Sequence, residues 1–134
     1  MSKKYQIVCS EEQLRMIANA VEDWSRFLGG QCELWNATSM LENSLELRTK
    51  LQFEAHPMVT PLLPMNAAYG WNGGSCPNEY QRRAIAMSYG IYRQILHFFA
   101  VERAKNTPGA EWNTYCSSTL TCSEQGGLIE VKEL

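Results

Sequence analysis

The longest helical pattern in the sequence is NEYQRRAIAMSYGIYRQILHFFAVERAK, from Asn78 to Lys105. Its apolar side chains recur at intervals of three and four residues, the spacing that places them on one face of an α-helix. They are Ile85, Tyr89, Tyr92, Leu96 and Phe99, with Ile91, Ile95 and Phe98 widening the face. Asn78 is a favoured N-cap residue, and Gln81 follows three positions later. The stretch predicts a long helix buried on more than one side, which is typical of a central helix or a subunit interface.

A second strong helical pattern begins at Ser10. Ser10 and Gln13 match a capping box, in which the two side chains satisfy free backbone amides at the start of a helix. An apolar stripe follows at helical spacing: Leu14, Ile17, Ala18, Val21, Trp24, Phe27 and Leu28. Gly29 and Gly30 then favour a helix end, because glycine readily adopts the left-handed conformation found there.

The remaining segments give weaker signals. A third helix is expected from about Met40 to Phe53, with Leu41, Leu45, Leu47 and Leu51 as core candidates. Four prolines in residues 56–78 predict a long loop, since proline lacks the amide donor that regular structure needs. Short strands are expected over residues 5–10, 111–122 and 127–134. The prediction is an α+β fold: a single domain over residues 1–134, with two or three helices and a short antiparallel sheet.

Composition narrows the class of protein. The chain has 134 residues, 45% of them hydrophobic, and a formal net charge of -2, as expected of an ordinary globular domain. The acidic balance makes a nucleic-acid partner unlikely on electrostatic grounds.

No apolar run follows the lysines near the start, so we expect a cytoplasmic protein without a membrane span. Five scattered cysteines without a Cys-x-x-Cys pair indicate neither a metal site nor a disulfide framework.

Motifs of catalysis are absent from the sequence. It contains no phosphate-binding glycine loop, no Gly-x-Ser-x-Gly elbow and no His-Glu-x-x-His helix. Its two histidines, His56 and His97, lie in the proline-rich loop and in an apolar part of the long helix. The expectation is a protein that is not an enzyme and that uses no cofactor.

One stretch, AYGWNGGSCPNEYQRR over residues 68–83, has the composition of a ligand-binding loop. Tyr69 and Trp71 offer flat faces to a base, while the neighbouring glycines let the backbone approach a ligand closely. Asn78 caps the next helix, whose free amides and positive end favour an anion. Arg82 and Arg83 follow one turn later, where they can reach a phosphate. The alternative is an ordinary turn followed by solvated arginines.

Arg26 has two interpretations of its own. It lies in the last turn of the first helix, within SRFLGGQ. A cation there complements the negative end of the helix dipole, which is a purely structural role. Its planar guanidinium is also well suited to binding a phosphate.

These segments together resemble a family of small proteins of tailed phages and prophages. The resemblance rests on EEQLRMIANAVEDWSRFLGGQ, NAAYGWNGGSCPN, SYGIYRQILHFFA and TCSEQGGLIEVKE, in that order. The family resembled includes the Thoeris anti-defence proteins, which sequester a cyclic ADP-ribose isomer made by bacterial TIR-domain immunity. The likeness covers most of the chain and is patchy between Leu34 and Pro64.

The resemblance implies a function and a site. It implies a homo-oligomer, a dimer or higher, that acts in the cytoplasm of the infected bacterial host and holds a cyclic nucleotide without cleaving it. Arg26 would contact a phosphate, Tyr69 or Trp71 would stack on adenine, and Asn78 would contact the nucleotide. Leu96 stands where the family often has a basic residue, so Arg82, Arg83 or Arg93 would supply a second phosphate contact. The alternative is a phage accessory oligomer that binds a host or phage protein through residues 56–78.

Overall fold

The computed structural model describes residues 3–59, 79–108 and 129–134, and all regular structure within these ranges is helical. The elements are α1 (Glu11–Leu28), α2 (Trp35–Thr38), α3 (Ser44–Lys50), a π-helical turn (Leu51–Ala55), α4 (His56–Val59) and α5 (Glu79–Asn106). No helix in the described part of the chain combines the length and hydrophobicity that crossing a membrane requires.

Helices α1 and α5 form an antiparallel pair. At one end, the side-chain Nε2 of Gln81 donates a hydrogen bond of 2.9 Å to the backbone oxygen of Leu28. Towards the other end, the guanidinium carbon of Arg15 lies 3.9 Å from the centre of the Phe99 ring. The end of α1 therefore meets the start of α5, and the start of α1 meets the last turns of α5.

The core lies between these two helices. Ala18 and Ile95 are 0% and 1% exposed, and Phe99 packs with them. The small side chain of Ala18 allows the larger side chains of α5 to fill the space between the helices. Partly buried apolar residues surround this cluster: Leu14, Ile91, Leu96, Phe98 and Val131. Val131 brings the segment of residues 129–134 against the helix pair.

The predicted long helix is confirmed over almost its whole length, and it is buried on two faces as expected. One face packs against α1 and carries Ile85, Tyr92, Ile95 and Phe99. At 100° per residue, a second buried group lies about a third of a turn away: Ala86, Gly90, Arg93 and Ala100.

Both predicted ends of α1 are also confirmed. Ser10 Oγ accepts a 3.1 Å hydrogen bond from the Gln13 amide, and Gln13 Oε1 accepts one of 2.9 Å from the Ser10 amide. At the other end, the Gln31 amide donates to the backbone oxygen of Arg26 at 2.9 Å. Gly30 has a φ of 95° there, a left-handed conformation that glycine adopts without steric cost.

The α+β prediction is wrong, because the described residues contain helices and no strand or sheet. Strands were expected over residues 5–10 and 127–134, and neither residues 5–10 nor the described part of the second segment, 129–134, forms one. Aromatic and β-branched residues favour strands mainly by packing on a half-buried sheet, and the described residues offer these segments no such partner. Tyr5 and Ile7 are instead 86% and 80% exposed. The third predicted strand, over residues 111–122, lies outside the described residues.

The expected helix from Met40 to Phe53 is only partly confirmed. Helix α3 begins at Ser44, and the chain continues through the π-helical turn into α4. Leu41 and Leu45 are exposed, so they are not core residues as predicted, whereas Leu47 and Leu51 are partly buried. The beginning of the predicted loop, His56–Val59, is helical, and its continuation from residue 60 to 78 lies outside the described residues.

Candidate functional site

Polar side chains replace the predicted apolar ones in the buried part of α1. Ile17 and Trp24 are 39% and 57% exposed, although both belong to the predicted apolar stripe. Glu22 and Asp23 are only 8% and 7% exposed. Buried carboxylates are costly unless hydrogen bonds satisfy them, so these two must have specific partners.

Asp23 acts as a remote cap for α2. Its Oδ1 accepts a 2.9 Å hydrogen bond from the Asn36 amide, and its Oδ2 accepts one of 2.8 Å from the Ala37 amide. These are the second and third amides of α2, which an N-cap side chain normally satisfies. Leu34 occupies that N-cap position, with a φ of 49°, and its side chain has no oxygen to accept them. Asp23 therefore fixes α2 against α1.

Glu22 connects α2 to Arg26. The Asn36 Nδ2 donates to Glu22 Oε1 at 2.7 Å. Glu22 Oε2 accepts from Arg26 Nε at 3.3 Å and from Nη2 at 3.2 Å. Arg26 Nη1 donates to Gln31 Oε1 at 2.8 Å, just beyond the end of α1. The Arg26 side chain is thus held in one orientation while 42% of it stays exposed.

The antiparallel packing brings Arg26 to the same end of the molecule as Arg82 and Arg83. Gln81 contacts the last residue of α1, and Ser25 Oγ donates to the Ile85 backbone oxygen at 3.4 Å. Arg82 and Arg83 lie in the first turns of α5, and at 100° per residue Arg83 stands about 200° round the helix from Gln81, on the side away from α1. We call this region the arginine end: Arg26 on α1 together with Tyr80, Arg82 and Arg83 on α5.

Tyr80 is a candidate that the sequence analysis missed. Its ring is 86% exposed in the first turn of α5, and it stands three residues before Arg83. Residues three apart share a helix face, so Tyr80 and Arg83 project from the same side of α5. The spacing of Tyr80 and Arg83 is visible in EYQRR, within the stretch already singled out. Tyr80 was missed because, unlike Tyr69 and Trp71, it has no glycine next to it.

The other predicted site residues do not extend this group. Tyr69, Trp71 and Asn78 lie outside the described residues. Arg93, the other possible phosphate contact, is 9% exposed, and its guanidinium carbon lies 5.7 Å from the centre of the Tyr89 ring. Eleven residues separate Arg93 from Arg82, which is about 16 Å along a helix. Arg93 therefore does not belong to the arginine end.

Cys32 lies buried just after α1. Its amide donates to Gln52 Oε1 at 2.8 Å, and its Sγ lies 3.6 Å from the Gly30 backbone oxygen. Burial raises the pKa of the thiol above its ordinary value of 9.0, because a thiolate loses hydration there, and the nearby charge of Glu33 raises it further. The thiol stays protonated at neutral pH, so it is not an activated nucleophile.

This state of Cys32 predicts slow chemical modification. In the folded protein, we expect iodoacetamide to alkylate Cys32 at least about tenfold more slowly than the partly exposed Cys9. The rate at Cys32 should keep rising with pH beyond 9.0, since its raised pKa keeps the thiol protonated there. Peptide mapping by mass spectrometry would follow each cysteine, with the denatured chain as the control. Equal rates at the two cysteines in the folded protein would contradict the prediction.

The chemistry available at the arginine end is anion binding. Arginine side chains and the amino end of a long helix both attract phosphate, and an exposed tyrosine can stack on a base. Across residues 3–59, 79–108 and 129–134, no group of three or more His, Cys, Asp or Glu side chains is arranged to hold a metal ion.

Comparison with known proteins identifies no relative. No protein-family model, curated protein or solved structure matches the chain.

Proposed function

We propose that the protein binds a small phosphate-bearing nucleotide of the cyclic ADP-ribose type at the arginine end and sequesters it without cleaving it. The observation that carries this proposal is that Arg26 of α1 lies at the same end of the helix pair as Arg82 and Arg83 of α5, although more than fifty residues separate Arg26 from Arg82 in sequence. The resemblance to the phage anti-defence family supports the class of ligand. The proposed setting is the cytoplasm of an infected bacterium.

The electrostatics of this region favour an anionic ligand, since three arginines outnumber the two nearby carboxylates, Glu22 and Glu79. The free amides at the start of a long helix carry a partial positive charge, and Arg82 and Arg83 lie within its first two turns. Arg26 adds a third guanidinium on the neighbouring helix. In the free protein its charge is balanced by Glu22, so a phosphate would share this arginine with a carboxylate already in place.

Tyr80 supplies the contact to the base. Stacking of a base on an aromatic ring contributes about 1–3 kcal/mol and tolerates different bases. The ring stands beside Arg83 on one helix face, so a base and a phosphate of one ligand can be held together. No bond has to be made or broken for sequestration, which requires only tight enclosure and slow release.

The test is isothermal titration of ligand-free protein with cyclic ADP-ribose isomers, alongside linear ADP-ribose and cyclic dinucleotides. We expect a cyclic ADP-ribose isomer to bind with a Kd below about 1 µM, and Arg83→Ala to weaken it about tenfold or more. Arg103→Ala is the matched control, because Arg103 is an exposed arginine near the other end of the same helix. The control variant should bind as the native protein does.

Testing Arg26 requires two variants, because removing its side chain also removes the ion pair with Glu22. Arg26→Ala leaves the carboxylate of Glu22 without its cation, which can destabilise the fold as well as remove a ligand contact. The double variant Glu22→Gln with Arg26→Ala removes both charges. Loss of binding in this double variant, with unchanged helix content by circular dichroism, would assign Arg26 to the ligand.

Two results would overturn the proposal. A ligand that returns with a changed mass after incubation and denaturation of the protein would indicate catalysis. Absence of heat with every nucleotide would leave the alternative, an oligomer that binds a host or phage protein through residues 56–78. The exposed side chain of Met58, at 74%, belongs to that segment.

A further inference from the structure

Residues 3–9, which we call the amino-terminal arm, belong to no helix or strand and carry apolar side chains into solvent. Tyr5, Ile7 and Val8 are 86%, 80% and 69% exposed. No hydrogen bond or ion pair joins residues 3–9 to the rest of the described chain. Three large apolar side chains so close together in an exposed segment are typical of a surface that is covered by a partner.

An open cleft of about 250 Å³ lies between α5 and the segment of residues 129–134. Its lining combines apolar and charged side chains, chiefly Phe98, Val101, Val131, His97, Glu102 and Lys105. Val131 also packs against the core, so one wall of this outer cleft is fixed to the helix pair. The arm of the same chain does not fill the cleft, since Tyr5 stays almost fully exposed.

The arm and the outer cleft lie at the same end of the helix pair, opposite the arginine end. The arm leads directly into α1, whose early residue Arg15 contacts Phe99 near the last turns of α5. Seven extended residues span up to about 23 Å, and the cleft follows α5 over residues 94–105, about 17 Å. An arm therefore has the length to lie along a cleft.

The arm and the segment of residues 129–134 beside the cleft carry opposite net charges. Lys3 and Lys4 give the arm two positive charges. The segment of residues 129–134, of which Val131 lines the cleft, carries Glu130, Lys132 and Glu133. Glu130 pairs with Lys132 at 3.7 Å, whereas Glu133 has no ion pair within the described residues. This exposed carboxylate and the two arm lysines are suited to pair with each other.

We propose that the amino-terminal arm of one copy of this chain docks in the outer cleft of a second copy. Each copy has one arm and one cleft, so a two-fold symmetric exchange fills both clefts and closes the assembly as a dimer. Tyr5 and Ile7 would cover Phe98 and Val101, while the arm lysines meet the carboxylates of residues 129–134. The inference concerns the end of the molecule that the proposed nucleotide site does not use.

A charge-swap experiment tests the exchange. Lys3→Glu with Lys4→Glu reverses the charge of the arm. Glu130→Lys with Glu133→Lys reverses the charge of those two positions in the segment beside the cleft. By analytical ultracentrifugation, we expect each double variant alone to dimerise about tenfold more weakly than the native chain. In an equimolar mixture, every arm of one variant meets a matching cleft of the other, so mixed dimers should form with near-native affinity, as native mass spectrometry would show.

Controls separate arm exchange from other self-association. Lys50→Glu and Glu42→Lys change charge at exposed positions far along the sequence from the arm and the cleft, so they should leave the dimer unchanged. A chain that begins at Ser10 keeps the capping box of α1 and should be monomeric with full helix content. Undiminished dimerisation of that shortened chain would overturn the proposal. So would a native chain that is monomeric at all concentrations, or mixed variants without preference for each other.

Discussion

Replacing Asp23 with alanine is expected to lower the free energy of unfolding by about 3 kcal/mol. The carboxylate accepts the amides of Asn36 and Ala37, and also the Asn36 side chain at 3.0 Å. Without it, those donors lose their acceptor and α2 loses the group that caps it. Urea denaturation followed by circular dichroism would measure the change.

Two further variants define the mechanism of that loss. Asp23→Asn keeps one oxygen but places an amide where the second acceptor was, so about half of the cost is expected. Glu12→Ala removes an exposed carboxylate from the first turn of the same helix and should change stability by about 0.5 kcal/mol at most. A cost below about 1 kcal/mol for Asp23→Ala would show that α2 is not held by this carboxylate.

Ile95→Ala should cost a similar amount for a different reason. Ile95 is 1% exposed and packs against Ala18 between α1 and α5. Removing its side chain beyond Cβ loses the transfer free energy of three carbons and leaves a cavity, which costs about 2–5 kcal/mol in well-packed cores. The midpoint of urea denaturation should fall accordingly, measured beside the native chain.

The control for Ile95 is Leu45→Ala. Leu45 is a leucine that periodicity had assigned to the core, but it is 72% exposed. Its truncation should change the free energy of unfolding by about 0.5 kcal/mol or less. Equal losses at the two positions would mean that α3 is buried in solution and that the packing described for α1 and α5 is not the dominant core.

Periodicity predicted the two long helices well because each must bury an apolar face over many turns. The expected helix over 78–105 agrees with α5 from Glu79 onward and falls one residue short of its end at Asn106, and the caps of α1 follow from Ser10, Gln13 and the two glycines. Periodicity could not predict whether the short strands form. Composition shows that Tyr5, Ile7 and Val8 would suit a strand, but it cannot show whether a second strand is present to pair with them.

The candidate site could be predicted only in pieces. Each of Arg26, Arg82 and Arg83 was identifiable from its local setting. That they lie at one end of the helix pair depends on contacts between residues far apart in sequence, such as Gln81 with Leu28. Glu22 and Asp23 were missed because acidic residues next to an apolar stripe usually face water. Their burial is explained by Asn36, whose position depends on the tight turn before α2.

The π-helical turn at Leu51–Ala55 is a place where the chain can lose one residue. A π turn holds one residue more than an α-helical turn, so loss of one codon there lets the chain continue as an ordinary helix. Phe53 is 74% exposed and follows Gln52, the side chain that accepts the Cys32 amide. Deleting the Phe53 codon would remove the extra residue, spare Gln52 and keep the residues beyond the turn in register, so a chain one residue shorter can keep this fold.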